Sequence, residues 1–135
     1  MIDRLLKVLA NRRLMRPLFF LYAAILFTGT HWPALELPFP GRSDLVVHFT
    51  ILGLWTVTLY LSGLCGPLSS WRAVAIAQTC GVLYGAVDEG LQAIPFIHRT
   101  AAFDDYSFDV GGVMVGSLIT MWLRWRFARR EQQSR

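Results

Sequence analysis

Four apolar stretches, at about residues 17–31, 45–64, 71–94 and 108–127, limit this chain more than any other feature. Three of them reach the roughly 20 residues that a helix needs to cross a hydrocarbon core. Charged residues make up 16% of the chain, against about a quarter in an ordinary soluble domain. They gather at the termini and in two of the connecting segments, and the first two stretches carry none. The pattern predicts an all-α integral membrane protein, a bundle of four transmembrane helices. The first stretch is the weakest, because Thr28, Thr30 and His31 interrupt it and Pro33 closes it. It has the basic flank and apolar core of a secretory leader, yet no small-x-small cleavage motif follows, so it is expected to remain as an uncleaved span.

Charge sets the expected orientation. Arg4, Lys7, Arg12, Arg13 and Arg16 precede the first stretch, and Arg124, Arg126, Arg129, Arg130 and Arg135 end or follow the last. Basic residues favour the cytoplasmic side of short membrane segments. Both termini are therefore expected inside, as four spans permit, together with the short connection at 65–70 and Arg72 beyond it. The connections around 33–44 and 95–107 then lie outside, with four of the nine acids and only Arg42 and Arg99 as fixed positive charges. Neither basic cluster is interleaved with an aromatic stacking platform, so the net charge of +4 is assigned to topology and not to nucleic acid.

Smaller features fit this plan. Residues 1–16 can form a basic amphipathic helix at the membrane surface, with Ile2, Leu5, Leu6 and Leu9 on one side, or can simply fray. Residues 128–135 form a basic tail, with irregular structure expected from Glu131 onward. Trp32, Trp71, Trp122 and Trp125 fall near span ends, where aromatic anchors concentrate, and Trp55 falls inside a span as a packing residue. Cys65 and Cys80 lack metal-site spacing and read as free thiols. Ser43 or Asp44 is placed to cap the second span.

Against this apolar background the acids stand out. Asp44 and His48 lie four apart at the outer end of the second span. Tyr84, Asp88 and Gln92 repeat that spacing on the third, with Glu89 turned toward a neighbouring groove. Asp105 and Asp109 repeat it on the fourth, whereas Asp104 and Ser107 fit that face less well. Deeper on these faces lie Gly81 and Gly85, then Gly112 and Gly116, and small residues at such spacing let helices approach closely. The expectation is that spans three and four pack on each other through these glycines and bring the acids together at the outer surface. His31 and His98 read as isolated interfacial histidines.

Ionisable groups inside a membrane are costly and usually functional. Here they form either a ligand site or a polar network that locks the bundle. Carboxylates so close together must share protons, pair with Arg42, Arg99 or His48, or hold a cation. Asp88, Glu89, Asp105 and Asp109 offer oxygen ligands for a divalent metal, and Arg99 can grip a phosphate with its fork of donors.

Three segments resemble the VanZ-like membrane proteins. S-D-L-V-V-H-F at 43–49 is similar to that family's D-K-x-x-H-F signature, with Leu45 in place of lysine. Y-G-A-V-D-E-G-L-Q at 84–92 resembles its D-E-x-x-Q segment. Arg99 followed by D-Y-S-F-D-V-G-G-V-M-V-G at 105–116 resembles R…D-x-x-x-N-x-x-G-x-x-x-G, with Asp109 replacing asparagine. The resemblance covers residues 43–116 and implies a VanZ-like four-helix domain at 17–127 in the bacterial cytoplasmic membrane. It also implies a role in the cell envelope linked to sensitivity to the glycopeptide teicoplanin. The matching site positions are Asp44, His48, Asp88, Glu89, Gln92, Arg99, Asp105 and Asp109. Losing the lysine and gaining a carboxylate makes this site more negative and favours a bound divalent cation.

Two functions follow as expectations. In the first, an outward-facing polar site binds or modifies a lipid-linked headgroup, with membrane lipids and an envelope precursor or glycopeptide as partners. Its contacts come from Arg42, Asp44, His48, Gln92 and Arg99. In the second, the chain is a metal-assisted phosphohydrolase or transferase acting on a lipid phosphate. Asp88 and Glu89 help hold the metal, and His48 acts as acid or base. Four short spans without an inverted repeat make a poor proton-coupled transporter.

Overall fold

A computed structural model describes residues 2–32, 43–92, 94 and 103–133, with the side chains of residues 2, 3, 43 and 44 left aside. Arg42, His98 and Arg99 lie outside the described residues, as does the side chain of Asp44 and with it the proposed cap on the second span. The described chain is all-α: α1 (Ile2–Leu9), α2 (Arg12–His31), α3 (Ser43–Ser62), α4 (Trp71–Gln92) and α5 (Phe103–Gln133).

Local chemistry explains most helix ends. Asn11 separates α1 from α2, and its side-chain oxygen accepts from the Arg13 amide at 3.1 Å, satisfying one of the free donors at a helix start. This cap starts α2 at Arg12, five residues earlier than the apolar stretch alone predicts, and Pro17 is carried inside the helix. Ser70 caps α4 in the same way, accepting from the Arg72 amide at 3.1 Å. Between α3 and α4 the chain turns through Gly63 and Gly66, whose φ values of 70° and 125° disfavour side chains. The Tyr60 hydroxyl braces this turn by donating to the Leu68 carbonyl.

The last helix departs most from expectation. It runs from Phe103 to Gln133, so the region past Glu131, predicted to be irregular, is helical through Gln133. Asp104 and Asp105 in its first turn and Arg130 in its last complement the helix dipole and favour this extension. At 1.5 Å per residue its 31 residues span about 46 Å.

Contacts at the two ends fix the arrangement. At one end, the Arg16 side chain donates to the Ser62 carbonyl at 3.3 Å, and the Arg124 guanidinium lies 4.1 Å from the centre of the Trp71 ring. The start of α2, the end of α3, the start of α4 and the end of α5 therefore meet there. At the other end, Thr30 of α2 reaches Asp88 of α4, and His48 of α3 reaches Asp109 of α5. The helices alternate in direction, which makes α3 and α5 parallel. The described arginines gather at one end of the bundle and the buried acids at the other.

The glycines do not pair as the sequence suggests. A β-carbon at Gly112 would overlap the Phe49 carbonyl oxygen, and one at Gly116 would sit 2.6 Å from the Gly53 carbonyl oxygen. Both belong to a close approach between α5 and α3, which Gly53 joins from the other side. Gly81 and Gly85 do face α5, but they meet the Val113 and Asp109 side chains, with Thr56 of α3 also against Gly81. The tightest contact thus joins the second and fourth long helices of the bundle, α3 and α5, instead of chain neighbours.

The acid-poor end is sealed by Leu6, Met15, Phe19, Leu59, Tyr60, Leu123 and Phe127. Leu6 anchors α1 there, while Leu5 and Val8 stay exposed. Cys65 and Cys80 are free thiols, and burial pushes the Cys65 thiol up to about 11. Trp55 is buried and stacked on Tyr84, with ring centres 4.9 Å apart. Trp32, Trp71, Trp122 and Trp125 are exposed, as anchors would be. Among the described residues, α3 over Leu45–Ser62 and α5 are long and apolar enough to cross a membrane by length and composition.

Candidate functional site

The polar residues of the acid-rich end form two clusters on different sides of α4. Asp88 and Glu89 are adjacent on that helix, so their side chains point about 100° apart. Both are buried.

Asp88 faces α2. Its Oδ1 accepts from the Thr30 hydroxyl at 2.9 Å, and its Oδ2 accepts from the Gln92 amide at 2.8 Å. The second bond is the i, i+4 pairing that the spacing predicts. The Nδ1 atom of His31 lies 3.7 Å from Asp88 Oδ1 and 2.9 Å from the Phe27 carbonyl. That carbonyl can only accept, so Nδ1 carries a proton. The His31 ring also stacks on Phe27, with centres 4.2 Å apart. Thr30 and His31 are therefore part of the site, although sequence reasoning took them for breaks in an apolar run. The available signal was their position: both lie in the last turn of α2, at the level of the acids.

Glu89 faces the groove between α3 and α5. There His48 is central. Its Nδ1 lies 3.1 Å from Asp109 Oδ1 and 3.8 Å from Glu89 Oε1, and its Nε2 lies 4.0 Å from Asp105 Oδ2. Asp109 is 1% exposed, and Asp105 sits closer to the surface. The Oδ2 atom of Asp109 is buried without a hydrogen-bond partner among the described residues. It lies 3.5 Å from where a β-carbon on Gly85 would be, on the α4 face that Gly85 shares with Glu89.

His48, Glu89 and Asp109 can each present one ligand atom with all three within 4.8 Å of one another. Of the predicted metal ligands, the structure groups Glu89 and Asp109 with His48. It sets Asp105 behind the imidazole and gives Asp88 to α2. Asp104 is exposed, and Ser107 donates to the Phe103 carbonyl of its own helix.

Chemically, the α2–α4 cluster is a brace in which both Asp88 oxygens are engaged, and the α3–α4–α5 cluster is an anion-rich recess with one basic nitrogen pair. No family model, curated protein or solved structure matches the chain.

Proposed function

We propose that this chain is a four-span, VanZ-like protein of the bacterial cytoplasmic membrane with both termini in the cytoplasm. Its outer end binds the polar headgroup of a lipid-linked envelope precursor, and through this binding it alters sensitivity to glycopeptides such as teicoplanin. The observation that carries this reading is the burial of Asp88, Glu89 and Asp109 at the bundle end opposite the described arginines. Burying three carboxylates is costly unless they are engaged, and in a membrane such groups mark functional sites.

The surface of the bundle supports membrane insertion. Leu21, Ile25, Leu83, Val87, Met114 and Leu118 are each more than half exposed, which water would penalise and lipid favours. Helices α2 and α4, with 20 and 22 residues, extend about 30 and 33 Å, enough to cross the core beside α3 and α5. The resemblance at 43–116 supplies the envelope context.

Topology is the first test. Phe103, at the start of α5, is 82% exposed. With Cys65 and Cys80 replaced by alanine, Phe103→Cys is expected to react with a membrane-impermeant maleimide applied to intact cells. Labelling only after permeabilisation would invert the protein and overturn an outer site.

Headgroup binding is the second. The full chain in nanodiscs should retain a polyprenyl diphosphate-linked sugar, and His48→Ala should lose it. In a teicoplanin-sensitive host, expression of the wild type should shift sensitivity and His48→Ala should not. Equal retention by both proteins would remove the site.

The His48, Glu89 and Asp109 group favours one second reading, a metal-assisted phosphohydrolase or transferase acting on the lipid phosphate. Release of phosphate or transfer of the headgroup, abolished by chelation, would select it over simple binding.

A further inference from the structure

We propose that His48, Glu89 and Asp109 hold a divalent transition-metal ion of the zinc or manganese type, with Asp105 orienting the imidazole from behind. The proposal rests on the outer-end site just described and names what occupies its core.

The distances fit such an ion. Zinc binds imidazole nitrogen and carboxylate oxygen at about 2.0–2.2 Å, so neighbouring ligand atoms in a tetrahedral site stand about 3.4 Å apart. Around His48 Nδ1 the observed separations are 3.1 Å to Asp109 Oδ1 and 3.8 Å to Glu89 Oε1. The Glu89 and Asp109 ligand atoms lie within 4.8 Å of each other, so side-chain rotation of these two carboxylates would bring all three onto one centre.

Two further observations point the same way. The buried Oδ2 of Asp109 has no hydrogen-bond partner among the described residues and faces the α4 side that carries Glu89. A carboxylate enclosed with spare acceptor capacity is expensive, and a cation uses that capacity. The far nitrogen of the ring, Nε2, has Asp105 Oδ2 4.0 Å away, beyond direct hydrogen-bond reach but within range of a small side-chain rotation. A metal-bound histidine characteristically donates its other N–H to a carboxylate, which fixes the tautomer and strengthens the bonded nitrogen.

The donor set also selects the ion. Calcium wants six to eight oxygens, and magnesium keeps most of its water. One imidazole with two carboxylates suits zinc or manganese better. Two carboxylates balance a dication, and three protein ligands leave a coordination position open to water or a phosphate oxygen. The competing occupant is a proton: a doubly protonated His48 paired with the same two carboxylates.

The two occupants separate in one experiment. The full chain, purified in detergent and stripped with chelator, is titrated with Co2+, read by visible absorption, and with Zn2+ in competition. One equivalent per chain is expected. Pulsed EPR of the bound Co2+ or of Mn2+ should show coupling to an imidazole nitrogen. Asp105→Asn should weaken binding by about 10- to 100-fold. His48→Gln and Asp109→Asn should weaken it further, and Asp104→Asn, at an exposed position, should leave it unchanged. Circular dichroism and gel filtration report whether each variant folds. Less than one equivalent, or one equivalent without nitrogen coupling, overturns the proposal in the wild type alone, so misfolded variants cannot shelter it. Metal binding without headgroup retention would remove the functional reading and keep the ion. Retention that is indifferent to chelation, by protein that binds no metal, would do the reverse.

Discussion

Gly112→Ala is expected to force α3 and α5 apart and to lower stability by about 3 kcal/mol or more, at or beyond the upper end for an overpacked core. The added methyl group would overlap the Phe49 carbonyl oxygen, which is backbone and cannot rotate away. Gly116→Ala should act in the same direction, since its methyl group would stand 2.6 Å from the Gly53 carbonyl oxygen. Helix propensity works the other way, because alanine is favoured over glycine by up to about 1 kcal/mol, so any loss is net of that gain. Two neighbours calibrate the result. A β-carbon at Gly90 meets nothing within 4 Å, and one at Gly111 meets only the Phe49 ring at 3.4 Å. Gly90→Ala should therefore be neutral or stabilising, and Gly111→Ala close to neutral. Reversible unfolding of the four variants in mixed micelles measures the order. If Gly112→Ala proved as stable as Gly90→Ala, α3 and α5 could not approach as closely as described.

The same glycines show what the sequence could and could not reveal. Helix number and most boundaries follow from hydropathy and caps, because both are local. The faces bearing Asp88 with Gln92, and Asp105 with Asp109, follow from spacing by four. Partner choice does not. Gly81, Gly85, Gly112 and Gly116 announce close contacts without saying with whom, and chain neighbours were the natural guess. The structure instead seats Gly112 and Gly116 against the Phe49 and Gly53 backbones, where Gly53 had no spacing partner to mark it. The one-position offset turns Glu89 toward a neighbouring groove, as it does in the structure, but spacing cannot say that Asp88 faces α2 while Glu89 faces His48. Thr30 was hidden for a related reason. Its hydroxyl can also bond the Leu26 carbonyl one turn back, so a threonine in an apolar helix needs no partner from elsewhere.

Asp88→Ala is expected to give the largest loss among the polar residues, because it removes the acceptor for two side chains at once. In water, hydrogen bonds to a charged group contribute about 1.5–3 kcal/mol each. In a membrane the unfolded helices find other polar partners, and measured couplings average about 0.6 with a ceiling near 1.7 kcal/mol. The lower range is the better guide here. Double-mutant cycles of Asp88→Ala with Gln92→Ala and with Thr30→Val measure the two bonds separately. The Gln92 coupling should be the larger, since Thr30 can fall back on the Leu26 and Phe27 carbonyls at 3.2 and 3.3 Å. Zero coupling in both cycles would mean that Asp88 does not brace α2 against α4. Asp88→Asn then separates bracing from binding. Asparagine keeps an oxygen for the Thr30 hydroxyl, and the Gln92 amide can turn its own oxygen toward the new amide. The brace survives and the charge is lost. If Asp88 only holds helices together, Asp88→Asn should restore both stability and headgroup retention. If its charge serves the ligand site, stability should return while retention stays lost.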